Sequence, residues 1–384
     1  MIAFAHILIP LLIAAAYVLL MALLVKGWSQ LGRCPPIKQT ARVSVIIAAR
    51  NEADNIGLCL QSLADQHYPR NRFEVLVVDD YSTDQTAATV EGFIRQNTEV
   101  DLHLIRQTGQ TGKKAAIALA LQQARGVYIL TTDADCEVSP GWIAAMVSVM
   151  EGRQAVFVSG PVTFKDPAGL FQQLQDLEFM SLVASGAGSI GAGFPLMCNG
   201  ANLGFSLEAY RSLQGDALRQ KIASGDDVFL MLSMLNRFGS DKIAFARCRD
   251  ALVFTRPAGT PVGFINQRLR WASKSRAYRN FPLILSAMIV FFMNAMLVFS
   301  LVAGLFTPRF LMWFLLVYLV KIFADLMVLT GFARFAQKPG LLWLVVPSEP
   351  LVAFYTTLVA LAGQVVPARW KDRRAGTTCP ASAT

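Results

Sequence analysis

Val127-Tyr-Ile-Leu-Thr-Thr-Asp-Ala-Asp135 is the stretch that decides the fold. An apolar, β-rich run that stops in Asp-x-Asp puts Asp133 and Asp135 at the carboxyl edge of a buried strand, where open α/β sheets bind ligands. Two hard oxygen ligands so close together suit a divalent cation holding a diphosphate. Alone, the triplet is weak, because acidic loops after strands are common and usually just solvated, so its meaning comes from its neighbours.

Upstream, Val43-Ser-Val-Ile-Ile-Ala-Ala49 is nearly continuous apolar sequence, as expected of a strand buried on both faces. Arg50-Asn-Glu52 then leads into a helix through about Asp65. A second strand, Phe73 to Val78, ends in Asp79-Asp80 and is followed by Tyr81-Ser-Thr-Asp84, with Ser82 or Thr83 expected to cap a helix towards Gln96. Leu102 to Arg106 is a third strand. Gly109 to Gly112 makes a turn, and Lys113-Lys114 opens a helix reaching Ala124. Beyond Asp135 a helix enters at Pro140, and a strand follows at Val156 to Ser159. This alternation predicts a mostly parallel sheet with right-handed crossovers, a nucleotide-binding type of architecture. Asp79-Asp80 and Asp133-x-Asp135 then share one edge of it.

The chain has 384 residues, of which 54% are hydrophobic, and a mean hydropathy of +0.44. The apolar excess is localised. Ile2 to Val25 is apolar except for His6, close to the roughly 20 residues a membrane-crossing helix needs. Positive charge follows it at Lys26, Arg33, Lys38 and Arg42, whereas a cleaved leader carries charge before its apolar core. An uncleaved anchor (1–27) is expected, with the next domain (42–281) in the cytoplasm. Apolar segments recur at about 282–306, 310–332 and 341–366, giving a membrane bundle over 282–366 and a basic, disordered tail over 367–384.

The net charge of +9 gathers near these borders, at Arg268, Arg270, Lys274, Arg276 and Arg279 among others. The positive-inside rule accounts for that distribution, and no helix-turn-helix, finger or RNA-binding signature accompanies it, so nucleic acid is not an expected partner. Cys34, Cys59, Cys136, Cys198, Cys248 and Cys379 show no paired or metal-ligand spacing and are expected to be reduced. His6, His67 and His103 are scattered, which argues against a zinc site or a Ser-His-Asp triad.

Three further pieces lie downstream. Asn199-Gly-Ala-Asn202 is a small-residue stretch that lets backbone approach a ligand. Ser224-Gly-Asp-Asp227 precedes the apolar helical run Val228 to Leu235, and Gln267-Arg-Leu-Arg-Trp271 lies in a basic amphipathic stretch before an apolar segment. With Arg50-Asn-Glu52, Asp79-Asp80, Gly112-Lys-Lys114 and Asp133-x-Asp135, the ordered set over 43–271 resembles the membrane-bound branch of the family 2 glycosyltransferases, which have the GT-A fold. The layout of anchor, domain and bundle is similar to that of ceramide and carotenoid glucosyltransferases.

The resemblance implies an inverting transfer of a sugar from a nucleoside diphosphate, UDP foremost, to a hydroxyl of a membrane lipid. Ala48, Arg50, Glu52 and Asp80 would line the base pocket, and Lys114 or Lys113 would lie near the phosphates. Asp133 would face the ribose or sugar, and Asp135 would bind Mg²⁺ or Mn²⁺. Asp227 would be the general base, with Asp226 as the alternative. Gln267, Arg270 and Trp271 would border the diphosphate and the acceptor mouth. Chemistry asks for the same residue types: charge develops on the departing diphosphate, and a poor hydroxyl nucleophile needs a carboxylate to take its proton. The acidic pair departs from the usual pattern by having aspartate, not glutamate, at its first position.

Processive polysaccharide synthases share Gln-x-x-Arg-Trp, and a catalytically dead binding or transport protein would keep the fold. Three apolar segments are few to enclose a polymer, and the set Asp80, Asp135, Asp227 and Arg270 is intact. Three full crossings would put the basic tail opposite the domain, against the positive-inside rule. Pro347-Ser-Glu-Pro350 is expected to break the last segment into a re-entrant or bent hairpin. Lys321 and Asp325, four residues apart, are expected to pair on one helix face.

Overall fold

The computed structural model describes residues 2–36, 41–213, 226–365, 369–370 and 373–374. The expected basic tail otherwise lies outside the described residues. The first half of the chain contains α1 (Ile2–Gln30), β1 (Val43–Ala49), α2 (Ile56–Ala64), β2 (Phe73–Asp79), α3 (Thr86–Gln96), β3 (Leu102–Arg106), α4 (Lys113–Gln123), β4 (Tyr128–Asp133) and β5 (Glu137–Val138). Then come α5 (Trp142–Gly152), β6 (Phe157–Ser159), β7 (Val162–Phe164), α6 (Gly169–Gly191), β8 (Leu203–Ser206), α7 (Leu207–Arg211), α8 (Asp226–Phe238), β9 (Ile243–Phe245) and β10 (Val253–Thr255). The last helices are α9 (Pro261–Ser273), α10 (Phe281–Gly304), α11 (Arg309–Phe335) and α12 (Val345–Ala362).

They form two units. One comprises Leu31–Asp166, Met197–Arg256 and Arg373–Thr384; the other comprises Met1–Gln30, Pro167–Leu196 and Pro257–Asp372. Thus α6 and α9 group with the apolar helices.

The first unit is built on a seven-stranded sheet of order β3-β2-β1-β4-β8-β6-β9. β1, β2, β3 and β4 are mutually parallel, while β8 runs against β4 and β6. β2 is buried at every residue, its one interior charge, Glu74, being paired with Arg125. From β1 the chain builds outward through β2 to β3, then returns to place β4 on the other side of β1. That reversal opens a crevice at the carboxyl ends of β1 and β4, the place where such sheets take ligands. A smaller sheet of order β5-β10-β7 follows from the Asp-x-Asp turn.

Two local expectations are corrected in this unit. Neither Ser82 nor Thr83 caps α3. The Asp84 carboxylate takes the Thr86 N–H at 3.0 Å, while Ser82 Oγ accepts from Asn51 N at 3.1 Å. Asp84 is partly desolvated, which raises its pKa, but hydrogen bonds from Thr86 and Ala53 outweigh this and hold it below the usual carboxylate range. The cysteines are not all free: Cys34 and Cys248 form a disulfide with Cα atoms 5.4 Å apart. They are separated by 214 residues, so no local spacing could announce the pair. A reducing compartment would hold the same two cysteines as neighbouring thiols.

The second unit contains the helices that are long and apolar enough to cross a membrane: Leu8–Gln30, Phe281–Gly304, Arg309–Phe335 and Pro339–Ala362 among the described residues. α1 and α6 touch backbone to backbone. A Cβ on Gly27 would sit 1.8 Å from Gly188 O, and one on Gly188 would sit 2.5 Å from Leu24 O. Gly27→Leu should therefore push these helices apart and lower stability by about 1–3 kcal/mol or more. Thermal unfolding in detergent checks this; an unchanged midpoint would mean the crossing contributes nothing.

Lys321 Nζ meets Asp325 Oδ2 at 2.6 Å, the expected pair, and also reaches Glu349 Oε1 at 2.5 Å. Tyr17 Oη donates to Asp325, completing a polar group that ties α1, α11 and α12 together inside apolar surroundings. The proline-rich run does not break α12, which passes through both Pro347 and Pro350. Pro347 falls in the first turn, where a backbone N–H is not needed. Pro350 leaves the Val346 carbonyl without its helical donor, and Tyr318 Oη supplies one at 2.6 Å.

Candidate active site

The strand register sets the site. Ala48 is opposite Asp133, and Ala49 is opposite Asp79, so β1, β2 and β4 end at one level. Arg50 is buried and donates from Nη1 to Asp80 O at 2.7 Å and Tyr81 O at 3.0 Å, fixing the turn after β2. Asn51 and Tyr81 hold left-handed φ values of 50° and 54°, a local strain the bracing maintains. The two loops are laced further by Glu52 N to Thr86 Oγ1 at 2.8 Å and Thr83 N to Asn51 Oδ1 at 2.9 Å.

Asp80 is 1% exposed, and both its carboxylate oxygens accept from Gly112 N at 3.0 Å. Gly112 has φ +108°, which only glycine adopts freely, so this turn carries the start of α4 to the sheet edge. Lys113 follows at once, and its Nζ lies 2.5 Å from Asp133 Oδ1. Lys114, expected with its neighbour Lys113 near the phosphates, does not share that edge. Lys113 is the one at the acidic edge, while Lys114 is buried with its ammonium 5.3 Å from the centre of the Phe229 ring.

Asp133, Asp135 and Cys136 present ligand atoms all within 4.8 Å of one another. Burial, then the charges of Asp133 and Glu52, push the Asp135 carboxyl up to about 6, against a downward pull from Lys113. Three carboxyl groups thus crowd one ammonium. Cys136 is fully buried and, chiefly through burial and then Asp135, stays a thiol.

Asp227 reaches the same place from α8. Its Oδ2 accepts from Gly200 N at 3.2 Å and its Oδ1 from Val228 N at 2.8 Å. A Cβ on Gly200 would meet Lys113 Nζ at 3.3 Å and Asp227 Oδ2 at 3.6 Å. Lys113, and through it Asp133, therefore converges with Asp227 on one point. The Asp226 side chain lies outside the described residues.

The stretch Asn199–Asn202 divides its labour. Gly200 faces this point, but Asn202 is fully buried in the fold. It accepts from Trp142 Nε1 at 2.9 Å and donates from Nδ2 to Pro161 O and Ala251 O at 2.8 Å each. Asn202→Ala would strand an indole N–H and two carbonyls, so a loss of about 3 kcal/mol or more is expected, at roughly 1–3 kcal/mol per orphaned group. Denaturant unfolding checks this, and an unchanged midpoint would contradict it.

Gln267, Arg270 and Trp271 belong to the other unit, on α9. Trp271 has its ring 6.4 Å from Phe179 and the Arg268 guanidinium 4.3 Å from its centre. Arg268, which the sequence reading gave no role, is the buried member of that motif. It ion-pairs with Glu178 of α6, which also accepts from Tyr355 Oη of α12, and it donates to Gln267 Oε1. Sequence reasoning also missed the N–H donors of Gly112 and Gly200, whose only signal is glycine beside a lysine pair or between asparagines.

A mostly parallel sheet whose carboxyl edge gathers Asp80, Asp133, Asp135 and Asp227 defines a protein of the GT-A class. Residues 44–203 match the family described as glycosyl transferase family 2, and residues 128–334 match the glycosyl transferase family group 2. The chain belongs to glycosyltransferase family 2. It is 37% identical over 128 residues to glycosyltransferase AglE of Haloferax volcanii, covering 33% of this chain and 41% of that one. It is 34% identical over 97 residues to a beta-monoglucosyldiacylglycerol synthase of Synechocystis sp., covering 25% of this chain and 20% of that one. It thus spans less than half the length of these relatives. A solved mannosyltransferase from Pyrobaculum calidifontis, in complex with GDP-Man and Mn²⁺, shares the fold with a TM-score of 0.56 at 20% identity; the match covers 92% of this chain and 98% of that one.

Proposed function

We propose that this protein transfers a sugar from a nucleoside diphosphate sugar, UDP-linked foremost, to the hydroxyl of a membrane lipid, with inversion at the sugar carbon. The observation that carries this reading is the convergence of Lys113, Asp133 and Asp227 at Gly200, with Asp135 beside Asp133.

The residues fit a divalent cation. Asp133 and Asp135 are hard, adjacent oxygen donors, and the excess of carboxylate over ammonium charge favours a bound positive ion. Asp135 is the principal ligand, with Mg²⁺ or Mn²⁺ as the ion, in keeping with the Mn²⁺ bound by the mannosyltransferase of the same fold. When bound, the ion would stabilise negative charge on the diphosphate.

The chain's own groups do the rest. Asp80, steadied by Gly112 N–H and by Arg50 through its backbone, receives the base. Ala48 and Glu52 complete that pocket. Lys113 moves from Asp133 to donor oxygens, and Asp133 turns to ribose or sugar. Asp227 is positioned by two backbone N–H groups and keeps lone pairs for the proton of the acceptor hydroxyl. One base suffices for direct displacement, so an α-linked donor gives a β-linked product. Gln267, Arg270 and Trp271 are assigned to the diphosphate and acceptor side.

The lipid acceptor is supported by the long apolar helices and by similarity to a diacylglycerol glycolipid synthase. The positive-inside rule applied to the basic borders supports a catalytic unit on the cytoplasmic face of the inner membrane. Lipid extraction and mass spectrometry of cells with and without this protein test the reading. A single added hexose on one lipid class is expected. A ladder of long polymer, or lipid profiles that do not differ, would contradict it.

A further inference from the structure

The last apolar segment, Pro339–Ala362, is long enough to cross a membrane, but both its ends attach to the same end of the helical unit. α1 and α11 finish together, with Trp28 packed on Phe332 and Phe335 at 5.9 and 5.8 Å. α6 meets the end of α1 at Gly27. Just after α11, Lys338 Nζ pairs with Asp176 of α6 at 2.6 Å. Within α12, Tyr355 Oη donates to Glu178, two residues further along α6. Lys338 and Tyr355, on opposite arms of the segment, are thus fastened to the same turn.

Between them the chain goes in and comes back. A 3₁₀ stretch, Pro339–Leu344, leads inward, and α12 starts at its end. Val346 and Glu349 lie beside Tyr318 and Lys321, in the middle of α11. From Val345 to Tyr355, α12 rises about 15 Å at about 1.5 Å per residue, half of a hydrocarbon core of about 30 Å. Its far end returns to the start of α10: Arg276 Nη2 donates to Gly363 O at 3.0 Å, and Gln364 Nε2 donates to Ser275 Oγ at 2.9 Å.

We propose that residues 339–362 form a re-entrant segment that reaches mid-membrane and returns, so that among the described residues only α1, α10 and α11 cross. Irregular backbone at membrane depth survives only when enclosed by protein. The turn of this segment meets that condition: Leu344 and Val345 are 1% and 2% exposed, the freed Val346 carbonyl is bonded by Tyr318, and Glu349 is paired with Lys321. The geometry also removes the charge conflict. The end of the segment at Gly363 and Gln364 then lies on the side of Lys274, Arg276 and Arg279, opposite the short link Leu305-Phe-Thr-Pro308.

The test is labelling with a membrane-impermeant maleimide in sealed cells, before and after permeabilisation. One cysteine at a time is introduced, Arg279→Cys, Phe306→Cys or Val365→Cys, into the full chain with Cys198 and Cys379 replaced by Ser, and its labelling is read against that parent. Arg279→Cys and Val365→Cys are expected to react from one side and Phe306→Cys from the other. Val365→Cys reacting from the Phe306→Cys side would overturn the proposal. A C-terminal epitope tag on the otherwise wild-type chain, probed with protease, gives the same two outcomes without interior substitutions.

Discussion

Asp227→Asn should lower turnover by roughly 10²–10⁴-fold, the usual contribution of a positioned general base. That corresponds to about 3–5 kcal/mol of barrier. Asparagine matches the shape of aspartate and can still accept from Gly200 N, giving up only the adjacent Val228 N bond, so nucleotide affinity should persist. Nucleoside diphosphate titration by calorimetry and initial rates with a radiolabelled donor separate the two effects. Wild-type rates would move the base to Asp226. Lost binding together with lost rate would instead make Asp227 a structural brace for Gly200.

Asp135→Asn should be comparably severe for a different reason. Among Asp133, Asp135 and Glu52, Asp135 is the carboxyl whose burial most needs a cation, and its loss should cost several kcal/mol of stabilisation for diphosphate charge. A rate drop of roughly 10²–10⁴-fold is expected, with a matching fall in Mn²⁺ affinity measured by electron paramagnetic resonance in the presence of nucleoside diphosphate. Full activity of the wild type in excess chelator would remove the ion from the account.

Much of this site's placement is legible in the amino-acid sequence, and the reason is geometric. Parallel strands end at a common edge, so Asp79-Asp80 and Asp133-x-Asp135 had to be neighbours once the alternation of strand and helix was recognised. What escaped was whatever depends on side-chain direction or long-range packing. Lys113 and Lys114 have identical chemistry, and only the rotation of α4 sends one to Asp133 and the other towards Phe229. Asn199 to Asn202 looked like one ligand-facing strip, but the fold spends Asn202 on Trp142 and two carbonyls. Cys34 and Cys248 meet only because the segment after α1 folds onto the sheet unit. The proline run leaves α12 itself unbroken for a local reason: proline denies a helix one hydrogen bond, and a tyrosine distant in sequence replaces the donor.

The membrane unit shows the same lesson in Gln267-Arg-Leu-Arg-Trp271. The family pattern draws the eye to Gln267, Arg270 and Trp271, but Arg268 is the most buried of them and joins α9 to α6 and α12 through Glu178. Its role is to hold the helix in place, which a pattern of polar spacing does not reveal.

The account rests on direct displacement at one cation-assisted cleft with Asp227 as the sole base. Proton NMR of the lipid product formed from an α-linked nucleotide sugar reads this most directly. The coupling constant of a β-linked sugar, seen only with Mg²⁺ or Mn²⁺ and absent from the Asp227→Asn reaction, is the expected result. An α-linked product would contradict it.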